Sequence, residues 1–438
     1  MIKRIVVDYF SSLFCAKKID LNVAKAFIEP LPKLSESQRA SLESSITLEE
    51  LGLALSSMAS GKAPGLDGIP CEFYKTFWDI IGPELLEVLK ESFQVGELPL
   101  SFRRAVVSLL PKKGDTQLLR NWRPVSLLTT DYKIFSKVLA SRLKLVVHSL
   151  VHPDQTCCVP GRSIYDNLGA VRDIVDVCDL LHKSTGLIFI DQEHAFDSID
   201  HSYLFAILKG FGFGRIFVSY IQLLYHNIYS LFKINNELIP PFTVTRGIRQ
   251  GCPLSGLLYV LSIEPLLVKL REKLVGFSVA PDIPAIKVVA YADDICTTIQ
   301  CQEDVSELLK TMNNFTLACS ARVNWTKSYA SFFGLAMHFS FPTLPNNLSW
   351  KNNSVYHLGV HLGDAQSIQK NWDGLTDKVY SRLQRWRGLL CKLSYHGRVL
   401  VINNLVSSIL WHRFIVLQPP AWLIKNIQKH LIDFFLGW

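Results

Sequence analysis

In the stretch KVVAYADDICTTI (287–299), two carboxylates, Asp293 and Asp294, stand side by side inside an apolar, β-branched run. Adjacent charges in such surroundings are costly unless a cation meets them. The flanking runs 286–290 and 295–299 read as the strands of a hairpin, and a tight tip can present both carboxylates although neighbours in a straight strand face opposite ways. A third acid, Asp191, ends the apolar strand Leu187 to Ile190 within GLIFIDQEHAFDSID (186–200). If these strands are neighbours in one sheet, three carboxylates meet at one edge, where like charges oppose ionisation. Divalent cations relieve that opposition. An all-oxygen set selects Mg²⁺, which keeps waters and takes substrate phosphates as its other ligands. Two such ions about 4 Å apart clamp the attacking and leaving oxygens of an in-line displacement. That is the chemistry of phosphoryl transfer, which rests on positioning and charge neutralisation. Singly, an Asp-Asp pair or an Asp closing a strand is ordinary; the joint pattern carries the reading.

The elements that must position these acids are also legible. Thr47 and Glu50 form a capping box ahead of a helical stripe at Leu48, Leu51, Leu55 and Met58, which Gly61 and Pro64 end. GKAPGLDGIP (61–70) reads as a rigid loop. AVVSLLPKK (105–113) reads as a strand running into a basic turn, and NWRPVSLL (121–128) holds a second strand. A helix is expected from DYKIFSKVLASRLKLVVHSLV, and another after the loop TRGIRQGCPLSG (245–256). Beyond YHLGVHLGD (356–364) the chain reads as helical to its end. Trp372, Leu375, Val379, Leu383, Trp386 and Leu390 keep steps of three and four, with Lys378, Arg382 and Arg385 on another side. Residues 1–45, with the polar LPKLSESQRASLESS, read as a linker remnant.

The 438 residues suffice for two or three domain-sized units. The net charge of +8 is weak evidence for a polyanionic partner, but basic residues crowd 103–144 and again 378–398. The ten cysteines contain no C-x-x-C pair, and Cys157 and Cys158 are adjacent. This implies no structural zinc site and fits a reducing compartment. Asp8 interrupts the N-terminal apolar run too early for a signal peptide. No apolar span reaches the ~18 residues of a membrane helix, so the expected setting is intracellular, in nucleus or cytoplasm, with no membrane partner.

At this point the sequence resembles the reverse transcriptase of LINE-type (non-LTR) retrotransposons. FIDQEHAFDSIDH, TRGIRQGCPLSGLLY, YADD, VNWTKS and YHLGVHLG look like that family's palm motifs in order. GKAPGLDGIP, LPKKGD, NWRPVSLL and QTCCVPGRSI look like its fingers motifs, and LSYHGRVLVINNLV like its thumb. The resemblance covers roughly residues 45–438. It implies an α+β right-hand polymerase: fingers over 46–180, a palm with an antiparallel sheet over 181–363, and a helical thumb over 364–438. It implies RNA-directed DNA polymerisation on an RNA template and a DNA primer with dNTPs, using two Mg²⁺ ions, with Mn²⁺ as a substitute.

Residue by residue, the resemblance makes Asp191, Asp293 and Asp294 the metal ligands. Phe196 becomes the gate that excludes a ribonucleotide 2′-OH. Gln250 and Gly251 become loop residues against the nucleotide, and Lys112, Lys113 and Arg123 the grip on the triphosphate. Lys327 becomes the proton donor to leaving pyrophosphate. Basic thumb residues would hold the hybrid through its backbone. His194 stands where the family usually has Lys, and Ser320 where Gly is common, a strain if that turn needs positive φ. Residues 1–45 are too short for the endonuclease that often precedes this polymerase, so no nicking activity is expected. The competing expectations are an RNA-templated RNA polymerase, which Phe196 opposes, and an inactive or truncated retroelement remnant that only binds RNA or RNA–DNA hybrid.

Overall fold

The computed structural model describes residues 2–437 apart from 113, 236, 346 and 347. At its centre the strand Thr185–Ile190 is buried along its whole length. It is the middle of a five-stranded sheet in the order Trp350–Asn352, Tyr329–Phe333, Thr185–Ile190, Asp294–Ile299, Val288–Tyr291. The sequence TGLIFI explains the position, since a strand covered on both faces needs apolar residues at every step. Its period of two sends Ile188 and Ile190 into the main core and Leu187 and Phe189 into a second core on the opposite face. The helices Ser255–Lys273 and Gln302–Cys319 share the first core, and the helix Ile164–Leu180 supplies the second. All but the outermost pairing in this sheet are antiparallel.

A second sheet is built on Arg104–Pro111, which pairs antiparallel with Trp122–Leu127 and parallel with Tyr229–Ile234. The expected helix is present as Thr130–Leu150, with most of its residues buried. The Thr47–Glu50 capping box forms as read, opening the helix Leu48–Ser56. A third apolar cluster joins Trp372, Leu375, Val379 and Leu383 to Leu423, Ile427 and Phe434 of the terminal helix Ala421–Leu436. Trp372 therefore lies in packed core.

The N-terminal residues differ from the linker expected of them. They form the helices Ile2–Leu13, Leu21–Ile28 and Glu36–Leu42. Phe10, Phe27 and Leu42 enter the main core, and the Phe10 ring lies 5.1 Å from that of Phe232. The physical reason is visible in the stretch read as a linker: Ser35 and Gln38 close a reciprocal capping box, so polar residues there start a helix. Among the described residues, no helix is long and apolar enough to cross a membrane.

Candidate active site

The hairpin forms with Tyr291 paired to Asp294, leaving Ala292 and Asp293 as its two-residue loop. Two-residue loops that match strand twist require positive φ, and Ala292 supplies it at 53°. An alanine held there costs about 1–2 kcal/mol, so something must hold it. That residue is Gln155, which sequence reasoning missed and which is fully buried. Its Oε1 accepts the N–H of Ala292 and of Cys157, each at 3.0 Å, and its Nε2 donates to the Ala292 carbonyl at 3.4 Å. Thr156 and Asp154 bond the two sides of Ala290 through the backbone.

The neighbouring strand delivers Asp191. Ile190 pairs with Ile295, and one further step of that register sets Asp191 opposite Asp294. The Asp191 N–H donates to Ser328 Oγ, and its carbonyl accepts the Asn324 N–H at 2.8 Å. All three carboxyls are raised above their ordinary range. For Asp191 the cause is burial, opposed by Lys327, Asn324 and Lys112. For Asp293 it is burial and then the charge of Asp191, opposed by Arg123 and Lys112. Asp294 is open at its own surface but crowded by surrounding protein, and this, with repulsion from Asp293 and Asp191, pushes it up to about 7. The acids therefore feel one another as expected. However, no three His, Cys, Asp or Glu side chains among the described residues form a ready-made metal cage. Mutual repulsion opposes such closure. Waters and phosphate oxygens are the ligands Mg²⁺ usually adds to one or two carboxylates, and the carboxylate-only donor set fits that ion.

Asp191 and Asp293 open into a cavity of about 1300 Å³ whose lining also includes Lys112, Arg123, Phe196, Gln250, Gly251 and Lys327. Asp294 lies outside that lining, and Lys113 lies outside the described residues. The Phe196 ring stacks on buried Tyr259 at 4.2 Å and 18° between planes, and the Tyr259 hydroxyl donates to Gln192 Oε1. Phe196 is thus a backed wall whose position is fixed. The Gln250 carbonyl accepts the Ser126 N–H at 2.8 Å, tying the loop to the second sheet. Gly251 has φ of 109°, and a Cβ there would collide with the Ser126 carbonyl, so only glycine permits the approach. Burial lowers the pKa of Lys112, with Arg123 and Lys327 adding to the effect and Asp197 and Asp191 opposing it.

Four further residues shape the site. Asp197, directly after Phe196, is buried, and its Oδ1 and Oδ2 accept from Gln250 Nε2 at 2.9 and 3.1 Å. Burial pushes its carboxyl up to about 7 against those bonds and nearby cations. Tyr9, from the N-terminal helix, lines the cavity, with its hydroxyl 3.3 Å from His194 Nε2. Burial and the surrounding cations lower His194 to about 4, so it is neutral at neutral pH. Ser320 does stand at positive φ, 65°, as the departure from Gly implied. Its hydroxyl donates to the Ser198 carbonyl, which also accepts Arg246 Nε, offsetting part of the strain.

Comparison with known proteins gives a match between residues 110–362 and the family described as reverse transcriptase (RNA-dependent DNA polymerase). The chain is 42% identical over 428 residues to the transposon TX1 uncharacterized 149 kDa protein of Xenopus laevis, covering 98% of this chain and 33% of that protein. It is 26% identical to the retrovirus-related Pol polyprotein from type-2 retrotransposable element R2DM of Drosophila melanogaster, covering 90% and 37%. A probable RNA-directed DNA polymerase from transposon BS of the same fly is 23% identical over 80% of this chain and 39% of its own length. The chain thus spans about a third of the length of these curated relatives.

Proposed function

This chain belongs to the reverse transcriptase (RNA-dependent DNA polymerase) family, and we propose that it extends a DNA primer on an RNA template with dNTPs as the polymerase segment of a LINE-type retrotransposon protein. The LINE-type resemblance is borne out by relatives named as transposon and retrotransposable-element proteins. The observation that carries the catalytic reading is the single cavity onto which Asp191, Asp293, Lys112, Arg123, Phe196 and Gln250 all open. In this reading the fingers occupy 46–180, the palm 181–363 and the thumb 364–438.

Asp191, Asp293 and Asp294 would hold two Mg²⁺ ions, or Mn²⁺ in their place. When bound, such ions supply an activated 3′-hydroxyl and charge neutralisation at the triphosphate. The chain's own residues do the positioning. Lys112 and Arg123 carry positive charge toward the acids' side of the cavity, where a triphosphate would enter. Phe196, backed by Tyr259, closes the space beside the sugar. Gln250, held by Asp197, fixes the loop against which the nucleotide rests. Lys327 sits on the cavity beside Asp191, within reach of the leaving pyrophosphate for proton transfer. The basic face of Lys378 and Arg385 would meet the hybrid backbone, with steep salt dependence.

The test is extension of a labelled DNA primer on an RNA template, with dNTPs and NTPs offered separately. Extension with dNTPs alone supports the reading. Extension with NTPs overturns the role of Phe196, and hybrid binding without extension points to an inactive remnant.

A further inference from the structure

Cys157 and Cys158 take no part in the chemistry above. Sequence neighbours in an extended chain point to opposite sides, so adjacent thiols are ordinarily well separated. Here Cys158 has φ of 60°, and that bend brings the two Sγ atoms to 3.3 Å. Cys158 is exposed and Cys157 is buried beneath it. Cys158 Sγ rests against the first turn of the helix Ser255–Lys273, where a Cβ on Gly256 would stand 2.6 Å from it. Ser255 and Gly256 also line the catalytic cavity.

The spacing discriminates between two thiol chemistries. A disulfide needs sulfurs about 2.0 Å apart and Cα atoms usually beyond about 4.4 Å. Sequence neighbours are only about 3.8 Å apart across a trans peptide, so that bond would be strained. One soft centre making two bonds of about 2.3 Å, the zinc–thiolate length, at roughly a right angle spans about 3.3 Å. We propose that Cys157 and Cys158 form a two-thiol chelating site for a trivalent arsenical, and that its occupancy acts on the catalytic turn. An aryl arsenoxide reacts with both thiols to form two As–S bonds. Its oxygen leaves as water with the two thiol protons, and arsenic keeps its oxidation state.

The path to the turn is short. The Cys157 N–H and the Ala292 N–H share the same acceptor, Gln155 Oε1. The sulfurs already stand at the chelate spacing, so the effect on the tip comes from the bulk of the aryl arsenic beside Cys157, which crowds the Gln155 Oε1 that holds Ala292. This second arm rests on the polymerase reading; the chelation arm does not.

The experiment uses the full chain with phenylarsine oxide, read by intact and peptide mass spectrometry and by RNA-templated primer extension. One arsenical is expected per chain on the peptide containing 157–158, removed by a dithiol and not by a monothiol. It is lost in Cys158→Ser and in Cys158→Ala. Extension is lost in the treated wild type and retained in both treated variants. Uptake unchanged in both variants overturns the site. An adduct on the pair with undiminished extension overturns its link to the turn. Absence of extension before treatment counts against the polymerase reading alone, because the mass measurement still decides the site.

Discussion

Replacing Gln155 by leucine keeps its approximate size and removes the grip on the catalytic turn. The substitution leaves the N–H groups of Ala292 and Cys157 without their acceptor, and a buried unpaired donor costs about 1–3 kcal/mol. The left-handed strain of Ala292, about 1–2 kcal/mol, then has less to oppose it. Taking the lower part of that range, about 1–2 kcal/mol for each of the two donors, a relaxed tip gains about 2–4 kcal/mol relative to the held one. If half of that reaches the transition state, turnover falls roughly 5–30-fold. Single-turnover dNTP incorporation at saturating Mg²⁺ measures the loss, with primer–template affinity expected to stay near wild type. The specific check is Ala292→Gly, because glycine takes positive φ without a Cβ penalty. Added to Gln155→Leu, it should recover about 1–2 kcal/mol of the deficit. A Gln155→Leu protein that melts earlier but turns over normally would refute the argument. So would a double variant slower than Gln155→Leu alone.

Phe196→Val opens the wall beside the sugar and should admit ribonucleotides; unchanged discrimination in competitive incorporation would remove Phe196 as the gate. Asp197→Asn weakens a charge-assisted contact to Gln250 and should lower kcat/KM for dNTP about 5–30-fold, with the melting temperature little changed. A variant matching wild type would deny Gln250 its dependence on Asp197. Asp294, raised to about 7 when folded, binds a proton in the folded chain that the unfolded chain releases near pH 4. Its contribution to stability is present at low pH and lost as pH rises through about 7. The metal-free melting temperature should therefore lose a component over that interval, which Mg²⁺ restores at pH 7.5 and Asp294→Asn abolishes. A pH profile identical in wild type and variant would contradict this.

Legibility in the sequence followed physical cause. The Asp293–Asp294 hairpin could be read because β-branched runs flank two acids, and the Thr47–Glu50 helix because its cap and stripe agree. Residues 1–45 were read as a linker remnant because the polarity of 31–45 was taken for a linker, although Ser35 and Gln38 carry the capping-box spacing. Tyr9 gave no signal: an aromatic on an N-terminal helix has no pattern that ties it to a cavity built around residue 191. Gln155 was hidden for a related reason, since its function lies in contacts 137 residues away. Asp197 stood beside Phe196 in a quoted motif and could have been weighed as a buried partner for a polar loop residue. The acids' meeting in one sheet was legible from strand pattern.

The central claim is that the Asp191–Asp293–Asp294 carboxylates make this chain a metal-dependent polymerase. The most direct measurement is Mg²⁺-dependent extension of a DNA primer on an RNA template by wild type and by Asp293→Ala, with folding of both verified by circular dichroism. The account predicts extension by the first and none by the second. Equal extension by both, or no extension by a folded wild type at any Mg²⁺ or Mn²⁺ concentration, would contradict it.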